Sequence, residues 1–175
     1  LKLLIFEVSM SLELRPYQIQ DLSFYIANKK CLNRSDTGTG KSASVCVMFK
    51  YVSDYEHGSS IWVMPKSLLG KNKEELENWT GLSVLIYRGK PTQQKWRGES
   101  YDVILTTSDT LMNHYETIRL MLKKKLTLIV CDESHLYYSS ITSKRCEFFV
   151  ALSRKIERVV FMTATVIRGR LDSAF

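Results

Sequence analysis

The chain contains a glycine-rich stretch, Ser35-Asp36-Thr37-Gly38-Thr39-Gly40-Lys41-Ser42, which leads directly into a helical pattern that ends at Tyr51. Because they lack Cβ atoms, Gly38 and Gly40 can adopt backbone angles closed to other residues, so that successive N–H groups turn inward. The N-terminus of the following helix adds its positive end. A loop of this kind is suited to hold an anion such as phosphate.

The same stretch follows the Walker A pattern, in which a Gly-x-Gly-Lys-Ser core makes most of the phosphate contacts. The pattern predicts that Lys41 reaches the β- and γ-phosphates of ATP and that the Ser42 hydroxyl ligates Mg²⁺. We expect the other loop residues around the cofactor to be Asp36, Thr37, Gly38, Thr39 and Gly40. The pattern usually opens with Gly or Ala, whereas this chain has Ser35. The alternative interpretation is a surface turn rich in Gly, Thr and Ser.

The length and composition are those of one globular domain. The chain has 175 residues, of which 45% are hydrophobic and 25% are charged, so it can bury a sizeable core. Lys and Arg number 25 against 18 for Asp and Glu, a formal net charge of +7. Nucleic acid or another polyanion is therefore a reasonable partner, although many basic proteins bind neither. Trp62, Trp79 and Trp96 could stack on bases, but Trp62 lies in a buried strand pattern.

The cysteines and the apolar runs bear on the compartment. The four cysteines include no Cys-x-x-Cys pair and have no His nearby at metal-ligand spacing; they are Cys31, Cys46, Cys131 and Cys146. We therefore expect free thiols in a reducing intracellular compartment, cytoplasmic or nuclear, rather than zinc ligands or disulfides. No run in the sequence approaches the roughly 20 apolar residues that span a bilayer, so we expect no membrane partner.

Strand and helix patterns alternate along the chain. A first helix is predicted from Arg15 to about Asn28, because Pro16 suits the first turn of a helix. Compact apolar runs predict strands at 31–34, 60–64, 83–87, 102–106, 127–131 and 158–162. Between them lie helical patterns at 42–51, 66–79, 92–97, 108–122 and 143–152.

This alternation predicts an α/β fold of three layers, with a mainly parallel central sheet and helices on both faces. In such a sheet, ligands bind beyond the carboxyl ends of the strands. The glycine-rich loop follows the first strand and therefore lies at that edge. The residues that follow the other strands lie at the same edge, where we expect the rest of the site.

The fifth predicted strand ends in two adjacent carboxylates, Asp132 and Glu133. At the sheet edge, Asp132 could hold Mg²⁺ through water, and Glu133 could orient and deprotonate an attacking water. Phosphoryl transfer needs little covalent chemistry, so positioning and charge neutralisation by these residues and Lys41 would supply most of the catalysis. The alternative is an acidic pair that caps the next helix. The glycine-rich loop at 35–42, which we call the phosphate loop, lies upstream of this pair and favours the interpretation as a site of ATP hydrolysis.

Several segments resemble the motifs of superfamily II helicases and translocases. Asp132-Glu133-Ser134-His135 resembles their Asp-Glu-x-His box. Arg15-Pro16-Tyr17-Gln18 is similar to their entry motif, in which an aromatic ring stacks on adenine and the Gln reads its edge. Trp79 with Tyr87-Arg88-Gly89 resembles the Trp and Tyr-x-Gly pattern of the Swi/Snf-type branch. The coupling motif of that branch, Thr-Gly-Thr-Pro, is represented by Thr163-Ala164-Thr165-Val166, which departs from it at two positions.

The resemblance implies roles for individual residues. It places ATP against Arg15, Tyr17 and Gln18. It implies nucleic-acid contacts at Lys66, Thr106 and Thr107. It implies coupling between the two sites through His135, Thr163 and Thr165. The alternatives are a solvated loop lysine for Lys66 and a merely hydrogen-bonded histidine for His135.

The resemblance extends over nearly the whole chain from Leu14. The motifs follow the order that they have in the first of the two RecA-like lobes of this superfamily. It implies a lead-in at 1–13 and a RecA-like, ATP-binding lobe at 14–175 of an ATP-dependent DNA helicase or translocase. We expect a second RecA-like lobe in the parent protein. RNA is the alternative substrate. The alternative functions are another P-loop ATPase that does not act on nucleic acid and a non-hydrolysing scaffold lobe.

Overall fold

The computed structural model describes residues 13–35, 40–136 and 142–164. Five residues predicted for the site lie outside these ranges: Asp36, Thr37, Gly38, Thr39 and Thr165.

Helices and strands alternate through the described ranges. The strands are β1 Lys30–Asn33, β2 Ser59–Val63, β3 Val84–Ile86, β4 Val103–Thr106, β5 Leu126–Cys131 and β6 Arg158–Met162. The α-helices are α1 Pro16–Ala27, α2 Lys41–Tyr55, α3 Leu69–Thr80, α4 Lys90–Lys95, α5 Ser108–Leu120 and α6 Lys144–Lys155. Short 3₁₀ helices lie at Lys66–Leu68 and Ser134–Leu136.

All six predicted strands are present, and the differences concern helix bounds. The helix predicted at 66–79 is divided into a 3₁₀ helix and α3, and α2 continues to Tyr55. The helix predicted at 92–97 is instead α4, which begins at Lys90. It begins there because Gly89, with φ +95°, ends the preceding turn and Pro91 lies within the first helical turn, a position that proline favours.

The described strands form one sheet in which every pairing is parallel, in the order β1-β6-β5-β2-β4-β3. β2, β4 and β5 are buried along their whole length, as expected of parallel strands covered by helices on both faces. The sheet is therefore wholly parallel within the described chain, rather than mainly parallel.

The core has two parts, one on each face of the sheet. Helices α1, α2 and α3 cover one face and contribute Leu22, Phe49 and Leu76, for example. Helices α5 and α6 cover the other with side chains such as Ile118 and Phe149. This arrangement confirms the three-layer α/β fold, and Trp62 lies fully buried in the first core, as predicted.

One buried ion pair ties the amino-terminal edge of the sheet to two helices. Arg158 at the start of β6 lies 2.6 Å from Glu56 at the end of α2, and its guanidinium also donates to the carbonyls of Tyr25 and Ile26 in α1. These hydrogen bonds satisfy a cation that burial would otherwise destabilise.

The four cysteines are free, and all except the half-buried Cys31 are buried. Among the described residues, no helix combines the length and apolar character that a bilayer crossing requires.

Candidate functional site

The strand order divides the carboxyl edge of the sheet into two halves. β1, β6 and β5 lie side by side, and they lead into the phosphate loop, Thr163 and Asp132. β2, β4 and β3 form the other half and lead into Lys66, Thr107 and Arg88. The residues predicted for ATP and those predicted for nucleic acid therefore emerge from separate, adjoining groups of strands.

Two hydrogen bonds hold the entry of the phosphate loop at Ser35. The Ser35 N–H donates to Asn33 Oδ1 at 2.8 Å, and the Ser35 carbonyl accepts from Lys41 Nζ at 2.7 Å. Both contacts use the backbone of Ser35, so they do not require Gly or Ala at this position. Asn33, the buried last residue of β1, was not predicted as part of the site. The feature of the sequence that could have identified Asn33 as a site residue is its polar side chain at the carboxyl end of a strand.

The predicted adenine motif packs against the end of the phosphate loop. The Arg15 N–H donates to Gln18 Oε1 at 2.9 Å, and Gln18 Nε2 donates to the Gly40 carbonyl at 3.1 Å. The Ser44 hydroxyl of α2 donates to the Gln18 carbonyl. Gln18 is buried, whereas the Tyr17 ring is 39% exposed. The start of α1 and the start of α2 are thus bound together, with the Tyr17 ring accessible beside them.

Asp132 and Glu133 leave the sheet directly after β5. The Glu133 N–H donates to Asp132 Oδ1 at 2.9 Å. Burial raises the pKa of Asp132 and the Glu133 carboxylate raises it further, while the Glu133 N–H and the Lys41 ammonium act in the opposite direction. A divalent cation would favour the ionised form of Asp132 in the same way.

Glu133 adopts a left-handed backbone conformation, with φ +48°. This conformation costs a non-glycine residue on the order of 1–3 kcal/mol, and such strain is concentrated at active sites. The observation supports a functional role for Glu133, because an acidic helix cap does not require it.

His135 connects the acidic pair to the segment after β6. Its Nδ1 lies 2.8 Å from Thr163 Oγ1 and 3.2 Å from Glu133 Oε2. The Thr163 N–H in turn donates to the Asn33 carbonyl at 3.0 Å. The structure therefore brings together two of the three residues predicted for coupling, and it links them to both the acidic pair and the strand that precedes the phosphate loop.

In the other half of the edge, Lys66 and Thr107 line one cavity of about 240 Å³. The Thr107 hydroxyl accepts from the Thr110 N–H and donates to Thr110 Oγ1, so it caps α5. The Tyr87 hydroxyl is buried in the cavity lining and has no hydrogen-bond partner among the described residues. Buried hydroxyls are normally paired, so the Tyr87 hydroxyl is an exception within the described chain.

Thr106 does not belong to this cavity, which corrects the sequence prediction. Its side chain is fully buried, and its hydroxyl donates to the Tyr87 carbonyl at 3.0 Å. Successive side chains of a strand point to opposite faces, so only one of two adjacent threonines can face the ligand side. Arg88, which lines the cavity, was not predicted as a site residue. Its position directly after a predicted strand was the signal that could have identified it.

The sequence profile described as DEAD/DEAH box helicase matches residues 15–173. The chain belongs to the DEAD/DEAH box helicase family. Members of this family are ATP-hydrolysing enzymes. The family accounts for the glycine-rich sequence at 35–42 and for the Asp132-Glu133-Ser134-His135 box.

Among curated proteins, this DEAD/DEAH box helicase chain is similar to two chromatin-related human proteins and a mouse enzyme. It is 28% identical, over 74% of the chain, to the human SWI/SNF-related matrix-associated actin-dependent regulator of chromatin subfamily A containing DEAD/H box 1. It is 19% identical, over 93% of the chain, to human chromodomain-helicase-DNA-binding protein 8. It is 23% identical, over 93% of the chain, to the mouse DNA annealing helicase and endonuclease ZRANB3. The chain spans 14%, 7% and 15% of these relatives.

Two solved structures share the fold. The Sulfolobus solfataricus SWI2/SNF2 ATPase core in complex with dsDNA matches with a TM-score of 0.73 and 24% identity, over 94% of this chain and 34% of that one. The UvsW helicase from bacteriophage T4 matches with a TM-score of 0.70 and 15% identity, over 93% of this chain and 56% of that one. These matches confirm the RecA-like α/β fold, and the similarity to the SWI/SNF-related relative agrees with the resemblance to the Swi/Snf-type branch.

Proposed function

We propose that this chain is the ATP-binding first lobe of a Swi/Snf-type motor that couples ATP hydrolysis to movement along DNA. The observation that carries the proposal is the division of one sheet edge into a half that holds Lys41, Asp132 and Glu133 and a half that holds Lys66 and Thr107. Relatives named as a DNA annealing helicase and as an ATPase core in complex with dsDNA support DNA as the substrate.

In the ATP half, each polar side chain has a distinct task. Lys41 would pair with the β- and γ-phosphates, and Ser42 and Asp132 would hold Mg²⁺, since hydroxyl and carboxylate oxygens are the ligands this cation prefers. When bound, Mg²⁺ neutralises phosphate charge. Glu133, whose side chain is 34% exposed and lies within reach of His135, would orient the attacking water and accept its proton.

In the other half, Lys66 and Thr107 would contact phosphates of the nucleic-acid backbone without reading its sequence. The lining of this cavity also includes Arg88, so that two cations border one space. Closely placed cations and donors are the groups that recognise phosphate.

Coupling between the two halves would pass through His135 and Thr163. The His135 imidazole contacts both the Glu133 carboxylate and the Thr163 hydroxyl, so a displacement of the segment after β6 would change the position of the proposed base. Thr165 would extend this connection.

The parent protein would supply the remaining parts of the motor. We propose a lead-in at 1–13, this lobe at 14–175 and a second RecA-like lobe that completes the ATP site. The four free cysteines support a reducing cytoplasmic or nuclear compartment.

A nucleotide titration tests the ATP half. The Lys41→Ala variant should bind a fluorescent ATP analogue in the presence of Mg²⁺ at least about tenfold more weakly than the wild type, because it loses a charge-assisted contact. Lys50→Ala is the matched control: Lys50 also lies in α2 but pairs with Asp54. Equal affinity in the wild type and Lys41→Ala would favour a scaffold lobe without nucleotide chemistry.

Salt-dependent binding to duplex DNA tests the other half. Lys66→Ala should weaken binding and reduce the slope of log affinity against log salt by about 1. Lys71→Ala, which removes an exposed lysine that pairs with Glu75 on α3, should leave the slope unchanged. A wild-type chain that binds nucleotide but neither DNA nor RNA would indicate a P-loop ATPase of another kind.

A further inference from the structure

A second basic cleft lies beside α4, at the β3 end of the sheet, and no role has been assigned to it. It has a volume of about 570 Å³ and is lined by Arg88, Lys95, Trp96, Arg97, Glu99 and Tyr101, among others. We call it the α4 cleft. Its volume is more than twice that of the Lys66 cavity, which is about 240 Å³.

Within the described parts of the chain, the cations of the α4 cleft have no acidic partner. Arg88, Lys95 and Arg97 are exposed, and none forms an ion pair with another described residue. Glu99 is the single carboxylate in the lining, and it accepts a hydrogen bond from the Tyr101 hydroxyl at 2.7 Å. By contrast, the lysines of α2 and α3 that form ion pairs do so with an acidic residue four positions later. The cleft therefore has an excess of positive charge that suits a polyanion.

Trp96 gives the α4 cleft an aromatic surface that is held in place. The indole is 36% exposed, and its N–H donates to the Glu99 carbonyl. Trp62 is fully buried and Trp79 is partly buried within the core, so Trp96 is the most accessible of the three tryptophans. A fixed, exposed indole is a suitable surface for base stacking.

Arg88 lies between the α4 cleft and the cavity that contains Lys66 and Thr107, because it lines both. One hydrogen bond of the β3–α4 turn holds its backbone, in which the Arg88 N–H donates to the Thr92 hydroxyl. The next residue, Gly89, adopts φ +95°. A strand bound at the first cavity would therefore meet the α4 cleft at Arg88.

We propose that the α4 cleft binds an unpaired segment of a nucleic-acid strand, with one base stacked on Trp96 and phosphates paired with Arg88 and Arg97. The inference rests on the proposed function, because it extends the nucleic-acid path beyond Lys66 and Thr107. An unpaired segment fits better than a duplex, since the faces of paired bases are covered by their neighbours and cannot reach the indole. Arg supplies the planar, bidentate donor set that phosphate oxygens accept.

Binding of a fluorescein-labelled oligothymidylate to the 175-residue chain tests this site by anisotropy and by intrinsic tryptophan fluorescence. Trp96→Ala should weaken binding about tenfold, the effect expected for the loss of one stacked base. Trp96→Phe should keep the affinity within about threefold, because a ring remains, and should lose most of the fluorescence quenching that the oligonucleotide causes. Arg97→Ala should lower the salt slope by about 1.

Tyr55→Ala and Lys71→Ala serve as controls, since they remove an exposed ring on α2 and an exposed cation on α3. Both should bind oligothymidylate as the wild type does. If Lys66→Ala weakens binding while Trp96→Ala and Arg97→Ala do not, the α4 cleft proposal is overturned and the proposed function stands. A wild type that binds no nucleic acid would overturn both. Binding of poly-glutamate with the same dependence on Trp96 would overturn the proposal in favour of an acidic protein partner.

Discussion

Gly40 lies where the phosphate loop meets α2, and two independent constraints act on it. Its φ is +71°, in the left-handed region that favours glycine. A Cβ at this position would lie 2.6 Å from Gln18 Nε2, the atom that donates to the Gly40 carbonyl. The residue at the end of the loop must therefore lack a side chain, both for its own backbone and for the approach of the adenine motif.

We predict that Gly40→Ala destabilises the protein by about 1–2 kcal/mol and lowers nucleotide affinity at least about tenfold, because Ala is strained at this φ and displaces Gln18. Thermal unfolding and titration with an ATP analogue measure the two effects. Gly70→Ala is the control: no atom lies within 4 Å of its new Cβ, so it should raise stability by about 0.5–1 kcal/mol within α3. Unchanged affinity in Gly40→Ala would contradict the packing of Gln18 on the loop.

At the scale of secondary-structure elements, Asp102 joins β3, β4 and the end of α5 at the amino-terminal edge of the sheet. Its Oδ2 accepts from the Ser83 N–H, the Ser83 hydroxyl and the Lys123 ammonium at 2.9, 2.7 and 3.0 Å. Burial alone would raise the pKa of Asp102, but these hydrogen bonds and the Lys123 charge outweigh it and hold the pKa below its ordinary value. The ionised carboxylate is thus the form that the fold stabilises.

Because the pKa of Asp102 is lower in the folded state, its contribution is present above about pH 4 and is lost as the pH falls through the folded pKa. We predict that Asp102→Asn lowers the free energy of unfolding by about 1–2 kcal/mol at neutral pH, and that its difference from the wild type shrinks towards acid pH. Urea denaturation at several pH values measures this. Asp54→Asn, which removes an exposed partner of Lys50, should cost less than about 0.5 kcal/mol. An Asp102→Asn deficit that is independent of pH would contradict an electrostatic origin.

At the scale of the whole molecule, the two halves of the carboxyl edge meet between β5 and β2. The Asp132 N–H donates to the Val63 carbonyl at 2.8 Å, so the residue proposed to hold Mg²⁺ is bonded to the strand that leads to Lys66. Neighbouring strands are about 4.8 Å apart, and the sheet holds them rigidly. The sheet therefore holds the two proposed sites in a fixed relation to each other.

We predict that the purified chain binds nucleotide weakly and hydrolyses it very slowly, with little stimulation by DNA, because the cationic groups that complete charge neutralisation would come from a second lobe. A phosphate-release assay with and without duplex DNA measures the turnover. The Glu133→Gln variant, which lacks the proposed base, defines the background rate of phosphate release. Brisk turnover that DNA stimulates and Glu133→Gln abolishes would show that this lobe is a complete motor.

The sequence alone was sufficient to predict the six strands and the α/β fold. Apolar runs, glycines and adjacent carboxylates each favour a particular local structure or chemistry. Their effects can therefore be deduced from the sequence without knowing which distant residues contact them. The same reasoning predicted that Asp132 lies at the carboxyl edge of the sheet. It failed for Thr106, because the pattern Thr106-Thr107 does not state which of two adjacent side chains turns towards the core.

Only the tertiary structure decided which strands are neighbours, since the pairing of distant segments depends on contacts that no local pattern encodes. The order β1-β6-β5-β2-β4-β3 separates the strands that lead into the proposed ATP site from those that lead into the proposed nucleic-acid site. The same long-range packing placed Gln18 on Gly40, His135 beside Thr163, and Arg88 between the Lys66 cavity and the α4 cleft. The residue types are given by the sequence, but the distances between these side chains are set by the fold.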